Sequence, residues 1–485
     1  MKRSKFNLGY TKLLTLNMGN LVPVGLLEVL PGDSIQMSTA ALVRASPLVA
    51  PIMHPVDVRI HHWFVPNRLV WNGQGSNGWE GFITGGTDGL AAPTMPTRTP
   101  GNSAAVGSLA DYMGVPTGVG NVEINGLPFR GYQYIWNEWY RDQDLQAQAV
   151  WSGGNGPDAL TNTTLQSICW EKDYYTSARP WEQKGPAITI PIGSSAPVNI
   201  LEGSSGRTVV RPGSGGANPL NVVEPGSAGA ELKWQADLTT ASGITVNALR
   251  QSLALQRFEE ARARYGSRYP EYLAFLGIKS SDGRLDRPEF LGGGRQRIQF
   301  SEVLQTAADG GGTPTPVGTL RGHGITAMRS NRFRRFFEEH GYIHTLMSVR
   351  PKTIYMNGLP RHFQRKVKTD YWQRELEHIG QQQVLLNEVF MSGGAAGKAV
   401  FGYSDRYDEY RRSESQVSGE FRTISNFWHM ARDFASAPAL NSSFVACVPT
   451  TRPFAVTSAH QLMVQCKHSI VARRLLSQSG TSVTF

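Results

Sequence analysis

The chain has 485 residues, of which 40% are hydrophobic and 18% charged, and no apolar run approaches the roughly 18 residues that a membrane-spanning helix needs. Its 52 glycines and 28 prolines exceed the usual combined share of about 12%, which indicates ordered loops between short strands rather than a helical bundle. The net charge of +10 suits a polyanionic partner without proving one.

The first 55 residues are predicted to be turn-rich extended chain. The start, MKRSKFNLGYTKLL, is basic but lacks the apolar core and cleavage site of a signal peptide, so synthesis in the cytoplasm is expected. Residues 1–12 are interpreted as a basic arm, with Lys2, Arg3 and Lys5 as candidate phosphate contacts. The recurrence of proline at positions 47, 51 and 55 excludes a helix there.

A strand is predicted from Val56 to Val65, where apolar and polar residues mostly alternate. It contains two adjacent histidines, His61 and His62, which could be metal ligands or ordinary strand positions. Successive strand residues point to opposite faces, so the two imidazoles cannot easily share one metal ion. The pattern favours a structural role, and no metal site is predicted.

Three helices are predicted from apolar stripes: about 132–140, 247–265 and about 424–434. The aromatic residues Tyr132, Trp136, Trp139 and Trp428 lie on such stripes. Two interpretations remain open for them, packing within the chain or contact with a neighbouring subunit. A platform for stacking nucleotide bases is a further possibility for the first stripe.

The last third is predicted to contain extended chain at 343–358, bent at Pro351, and a half-buried strand near Leu462 to Ile470. Strands near both ends, with helices and long loops between them, indicate one β core that carries large insertions.

Familiar catalytic motifs were not found. The chain has no GxxxxGK[ST] phosphate loop, no GxSxG elbow and no HExxH pair. Its three cysteines, Cys169, Cys447 and Cys466, are scattered and form no CxxC pair, which favours inert thiols. No catalytic residue, metal or cofactor is therefore predicted.

Two basic clusters are candidate nucleic-acid contacts. The stretch RSNRFRRFF supplies Arg329, Arg332, Arg334 and Arg335, and the stretch RHFQRKVK supplies Arg365, Lys366 and Lys368. Arginine interleaved with phenylalanine can hold phosphates while bases stack. The alternative is that these arginines pair with acids such as Glu338 and Glu339, or with a neighbouring subunit.

Eight segments together resemble the major capsid proteins of the Microviridae, especially the gokushovirus-like branch. They are GNLVPVGLLEVLPGDS (19–34), FVPNRLVW (64–71), LADYMGVP (109–116), EKDYYTSARPWEQKG (171–185), RYGSRYPEYLAFLGIKSSDGRLDRPEFLGG (264–293), FEEHGYIHTLMSVRP (337–351), FGYSDRYDEYRRSESQVSGEFR (401–422) and WHMARDF (428–434). They occur in the order of the family and span nearly the whole chain.

The resemblance implies a mainly β protein, an eight-stranded antiparallel viral jelly roll whose long loop insertions carry a few helices. It implies one capsid domain over 1–485, with the core formed from both ends of the chain and insertions at about 72–160, 186–245 and 246–340. About sixty copies would form a T=1 icosahedral shell around a circular single-stranded DNA genome. The segment 193–230 is short and poor in aromatic residues, so we expect a modest surface loop there.

The implied partners are other copies of the chain, the DNA genome, a small basic DNA-packaging protein, pilot or minor virion proteins and a host surface receptor, with no membrane. The protein would be made in the bacterial cytoplasm and located in the virion. A jelly-roll module that binds carbohydrate or another ligand without assembling is the alternative, and an enzyme, such as a hydrolase on a β scaffold, is a third interpretation.

Overall fold

The computed structural model describes residues 3–72, 78–84, 93–99, 105–118, 122–186, 188, 198–200, 234–236, 246–265, 275, 287–306, 317–394 and 396–478. The chain divides into two compact units, one formed by Met1–Glu182 with Arg268–Phe485 and the other by Gln183–Ser267. A single domain was expected from the sequence. No helix in the described ranges is long and apolar enough to cross a membrane.

Antiparallel strands dominate the larger unit, as the sequence predicts. The strands of the chain are β1 (Ser4–Asn7), β2 (Tyr10–Leu16), β3 (Leu21–Val29), β4 (Ser34–Ala45), β5 (Val56–Pro66), β6 (Thr97–Arg98), β7 (Ile124–Asn125), β8 (Val198–Ile200), β9 (Trp234–Ala236), β10 (Glu289–Arg297), β11 (Gln299–Leu304), β12 (Leu320–Arg329), β13 (Phe333–Phe336), β14 (Gly341–Pro351), β15 (Gln381–Leu385), β16 (Val400–Asp405) and β17 (Leu462–Arg474).

Two sheets of the larger unit contain most of these strands. The seven-stranded sheet has the order β1-β17-β4-β12-β11, with β2 also paired to β17 and β13 also paired to β4. The four-stranded sheet has the order β10-β5-β14-β3. Strands β10 to β13 belong to these sheets, so the predicted insertion over about 246–340 contributes core strands between Glu289 and Phe336.

The main hydrophobic core contains buried residues from both sheets. The seven-stranded sheet contributes Leu16, Val43 and Val464, and the four-stranded sheet contributes Val58 and Met347. Burial along β17 alternates residue by residue over most of its length, which confirms the half-buried strand predicted there. Each fully buried aliphatic side chain contributes about 1.5–3 kcal/mol of transfer free energy.

The four-stranded sheet is also buried on its second face. Trp63 and Leu346 on that face form a second core cluster with Tyr132 and Ile135 from a helix (Leu127–Ile135). This cover explains why β5 is buried at nearly every position although its sequence alternates. Because the covering helix comes from a distant part of the chain, the local periodicity of β5 could not reveal that its second face is buried.

In the ranges that the structure describes, the helices with defined bounds are short apart from one. They are α1 (Asn67–Val70), α2 (Trp79–Thr84), α3 (Leu109–Met113), α4 (Leu127–Ile135), α5 (Val246–Tyr265), α6 (Leu386–Val389) and α7 (Ser442–Val445). Helix α4 continues as a π-helical turn from Trp136 to Tyr140, so the predicted helix at 132–140 exists in altered form. Helix α5 confirms the prediction for 247–265.

The helix predicted at 424–434 is absent. The chain forms 3-10 turns at Gly419–Arg422 and Asn426–Trp428 and then becomes extended. The amide of Arg432 donates to the carbonyl of Ile354, and the amide of Met356 donates to the carbonyl of Arg432. These hydrogen bonds to a distant segment replace those of a helix. Tertiary contacts therefore outweigh the local preference for helix that the apolar stripe indicated.

Gly19 joins the start of the four-stranded sheet to the segment around residue 447. Its φ is +86°, and a Cβ there would lie 2.1 Å from the carbonyl oxygen of Cys447. We expect Gly19→Ala to lower the free energy of unfolding by about 3 kcal/mol, because steric overlap adds to the left-handed backbone penalty. Urea denaturation measures the change.

Gly156→Ala is the matched control, since Gly156 has a φ of +71° and open space around its Cα. It should lower the free energy of unfolding by only about 1 kcal/mol. Equal effects from the two substitutions would contradict the role of the contact with Cys447.

Candidate nucleic-acid interface

The seven-stranded sheet has an outward face, on the side opposite the core between the two sheets. Residues directly opposite each other in an antiparallel pair point to the same side, so the register defines rows across this face. One row runs from Lys5 through Arg473 and Ser34 to Phe336. The guanidinium of Arg3 lies 4.8 Å from the centre of the Phe336 ring.

Further rows follow along the strands at intervals of about 7 Å, because each strand residue advances about 3.3 Å. The next row runs from Asn7 through Val471 and Gln36 to Arg334. A later row contains Thr11, Lys467, Ala40 and Arg329.

The outward positions of the strands carry cations and no carboxylate in the described ranges. The cations are Lys5, Arg44, Arg321, Arg329, Arg334, Lys467 and Arg473, and with Arg3 they define what we call the cationic face. Among the described residues none of them forms an ion pair, whereas other arginines of the larger unit do, such as Arg59 with Glu171 at 2.8 Å. Uncompensated charge of one sign focuses a potential that attracts anions.

Several residues predicted to contact nucleic acid lie on this face, and others do not. Arg3, Lys5, Arg329 and Arg334 are brought together there, while Arg332 is exposed in the loop just before β13. Lys2 lies outside the described residues.

Arg335 has a partner within the chain. It points away from the cationic face, and its Nη2 lies 2.9 Å from Oε1 of Glu289. The alternative considered for this cluster, pairing with an acid, therefore applies to Arg335, although the acid is neither Glu338 nor Glu339.

The second predicted cluster lies in the segment between β14 and β15. Arg365 is largely buried, with Nη2 lying 3.2 Å from Oε1 of Glu409 and its guanidinium 4.2 Å from the centre of the Tyr410 ring. Lys366 and Lys368 are exposed nearby. This cluster is outside the seven-stranded sheet.

Arg44, Arg321, Lys467 and Arg473 also lie on the cationic face, although the sequence did not indicate them as candidate contacts. A signal existed for two of them, because Lys467 and Arg473 occupy the exposed phase of the alternation in β17. The other two become neighbours of the cluster only through strand pairing, which one sequence does not display.

An aliphatic groove lies on the outward face beside the first residues of β17. We define it by Leu13, Leu42, Val106 and Met463, whose side chains are all at least a third exposed. Its volume is about 570 Å³. That is within the usual range of about 300–1,000 Å³ for ligand clefts.

The two histidines of β5 point to opposite faces, as the period-2 pattern predicts. Burial lowers the pKa of both, that of His61 to about 4 and that of His62 to about 3. His62 lies between the sheets, where its Nδ1 is 3.0 Å from Oγ1 of Thr345 and its Nε2 is 2.9 Å from Oγ of Ser330. No group of three or more metal-ligating side chains occurs in the described part of the chain.

The predicted interface residues differ in burial. The Tyr132 hydroxyl donates to the carbonyl of Leu21, and the Trp136 ring nitrogen donates to the carbonyl of Ser167. Both side chains are buried in the second core cluster, as the interpretation of packing within the chain predicts. Trp139 and Trp428 remain partly exposed.

The cysteines are reduced and largely buried. Cys447 and Cys466 are buried, Cys169 is half-buried, and burial raises the pKa of Cys466 to about 12. A thiol with a raised pKa is a poor nucleophile near neutral pH.

The chain matches the family described as capsid protein (F protein) over residues 1–484. It is 35% identical to capsid protein VP1 of Bdellovibrio phage phiMH2K, over 94% of this chain and 90% of that protein. It is 31% identical to capsid protein VP1 of Chlamydia phage 1, over 94% and 91%. With capsid protein VP1 of Spiroplasma virus 4 it shares 29% identity over 91% and 87%.

Proposed function

The chain belongs to the capsid protein (F protein) family, and on that basis we propose that about sixty copies form a closed T=1 icosahedral shell around a circular single-stranded DNA genome. The protein is a structural component of a phage virion and not an enzyme. Electron microscopy of the purified protein tests the shell, and isolated subunits under all assembly conditions would argue against it.

We further propose that the two main sheets form an eight-stranded viral jelly roll. Four strands of the seven-stranded sheet, in the order β2-β17-β4-β12, face the four-stranded sheet β3-β14-β5-β10. Consecutive strands of the eight lie in opposite sheets, except β5 and β10, which are neighbours in the four-stranded sheet, and β1, β11 and β13 extend the seven-stranded sheet. This order and the shared core support the proposal.

The cationic face is proposed to line the inside of the shell and to contact DNA phosphates. The observation that carries this proposal is a group of cations on outward strand positions that have neither an ion-pair partner nor a neighbouring carboxylate in the part of the chain that the structure describes. Phosphate contacts from lysine and arginine supply affinity independent of sequence, which suits packaging of a whole genome.

The charge of the subunits alone does not neutralise a genome. A charge of +10 per chain in about sixty copies gives on the order of +600, far below the thousands of phosphates expected. We therefore propose a small basic DNA-packaging protein as a partner, and pilot or minor virion proteins and a host receptor as further partners. Among the segments that would contact them, 193–230 lies outside the described residues apart from β8.

Replacing Arg334, Lys467 and Arg473 with glutamine tests the cationic face. We expect the affinity for single-stranded DNA to fall, and the slope of log affinity against log salt to decrease by about 2, since each lost phosphate contact removes about 0.7. The measurement is a salt titration of fluorescence anisotropy.

The double variant Lys366→Gln and Lys368→Gln is the matched comparison, because both side chains are exposed cations outside that sheet. It should leave the salt slope unchanged. A reduced slope in the double variant and an unchanged slope in the triple variant would transfer the DNA contact to the segment after β14.

A further inference from the structure

We propose that the aliphatic groove takes unstacked bases of single-stranded DNA while the neighbouring cations hold the phosphates of the same strand. This inference rests on the proposed function of the cationic face and names the form of nucleic acid that the face accepts. A strand whose bases are free is required, because a duplex keeps its bases stacked and presents its backbone.

The groove is built from two adjacent rows of the outward face. One row contains Leu13, Gln465 and Leu42, and the next contains Thr15, Met463 and Arg44. Leu13 is 76% exposed and Met463 is 50% exposed, although both lie on well-paired strands. A rigid sheet therefore presents aliphatic surface to solvent next to a row of cations.

Charge flanks the groove on both sides. Lys467 and Arg329 lie in the row on one side of the row that contains Leu13 and Leu42. Arg44 lies on its other side, in the row that contains Met463. Rows are about 7 Å apart, so a phosphate at Lys467 places its attached nucleoside within reach of Leu13 in the adjacent row. A row that contains cations therefore borders the row that contains Leu13 and Leu42.

Polar groups at the rim can meet base edges. Gln465 lies between the two leucines in its row, and the Thr15 hydroxyl lies 2.7 Å from Nδ1 of His460. The lining also contains one acid, Asp111, whose Oδ2 accepts a hydrogen bond from the amide of Gly107 at 2.8 Å. Lys12 donates to the carbonyls of Tyr112 and Pro23.

A second copy of the chain is a less suitable occupant. The groove is continuous with the cationic face, whose outward strand positions carry no carboxylate in the described ranges, and each copy carries +10. Bringing another subunit against it would juxtapose like charges, which is unfavourable unless acids compensate. A polyanion with apolar bases satisfies both parts of the surface.

The experiment compares three labelled probes with the full-length protein: an oligothymidylate, an abasic strand of the same length and a duplex. The groove variant is Leu13→Ser with Met463→Ser. The matched control is Met391→Ser with Ile424→Ser, which replaces a methionine and an aliphatic residue that are 66% and 71% exposed away from the sheet. Thermal unfolding verifies that both variants fold.

We expect the unchanged protein and the control to bind oligothymidylate about tenfold more tightly than the abasic strand or the duplex, consistent with the usual gain from base contacts. The groove variant should bind oligothymidylate and the abasic strand equally, with its affinity for the abasic strand unchanged. Equal binding of all probes by the unchanged protein would overturn the inference and leave the cationic face intact.

Two other outcomes are equally decisive. A groove variant that keeps the tenfold preference but assembles into smaller particles in light scattering would assign the groove to a second copy and overturn the inference. Absence of binding to every probe by the unchanged protein would instead overturn the proposed DNA contact of the cationic face.

Discussion

Lowering the pH from 7 to 5 is expected to reduce the free energy of unfolding by about 8 kcal/mol, through four buried histidines that each contribute about 2 kcal/mol. Burial, the largest cause, lowers the pKa of His54 and His468 to about 4 and that of His62 and His344 to about 3. Total stability of a domain is typically about 5–15 kcal/mol, so unfolding near pH 5 is expected.

The direction follows from proton linkage. In the unfolded chain a histidine has a pKa near 6.5 and takes up a proton as the pH falls through that value. The folded protein keeps these imidazoles neutral until the pH reaches about 3 to 4. The stabilisation is therefore complete above about pH 6.5 and is lost progressively below it.

A hydrogen-bonded network in the core explains why neutral histidines are needed. The amide of Thr39 donates to Oγ of Ser330, which also contacts His62, and Oγ1 of Thr39 lies 2.9 Å from Nδ1 of His468. The Nε2 of His468 lies 3.0 Å from the carbonyl of Val24 in the other sheet. Protonating a member of this network would introduce an unpaired charge between the sheets.

His344 offers the sharpest test, because neither of its ring nitrogens has a hydrogen-bond partner in the described structure. A Cβ at Gly131 of α4 would lie 2.7 Å from its Nε2, so the helix backbone packs directly on the ring. Between pH 7 and pH 5 the free energy of unfolding of His344→Leu should fall by about 2 kcal/mol less than that of the unchanged protein. Urea denaturation at both pH values measures this difference.

His378→Gln is the control, since His378 is exposed. It should reproduce the pH dependence of the unchanged protein. A stability that stays constant from pH 7 to pH 5 in the unchanged protein would contradict the role of the buried histidines.

The second large effect concerns a fully buried ion pair. Nε of Arg130 in α4 lies 2.7 Å from Oδ2 of Asp158, and each side chain is 1% exposed. The remaining guanidinium nitrogens donate to the carbonyls of Val70 and Gly154, and Asp158 also accepts from Thr161. The pair thus joins three separate segments around the helix that covers β5.

We expect Asp158→Ala to lower the free energy of unfolding by about 3–5 kcal/mol, because it leaves the Arg130 guanidinium charged and buried without its counterion. Chemical denaturation measures the loss. The control is Glu339→Ala, which removes the partner of Arg68 from a pair that is about one third exposed on each side. It should change stability by less than about 1 kcal/mol, and losses of equal size would contradict the argument from burial.

Local sequence patterns predicted the elements that are buried on one face only or that have a regular periodicity of apolar residues. The strand at β17 and the helix at α5 follow from their periodicity. The opposite orientations of His61 and His62 follow from strand geometry alone. The resemblance supplied the family, which the match over residues 1–484 confirms.

Other features depend on contacts between distant segments and could not be read locally. The apolar stripe at 424–434 predicted a helix, but hydrogen bonds to Ile354 and Met356 hold that chain extended. The cationic face combines residues from five strands, so its charge pattern exists only after pairing. Arg335 and Arg334 are adjacent in sequence, yet their side chains lie on opposite faces of β13.

The position of β17 has a consequence for how the protein is made. Strand β17, the last that the structure describes, is inserted between β2 and β4, which are both complete by Ala45. Those two early strands must therefore wait until Leu462 and its successors leave the ribosome, which takes tens of seconds at about 5–20 residues per second. The nascent chain cannot finish this sheet before then, and the edges of β2 and β4 that β17 later covers stay unpaired until it is made.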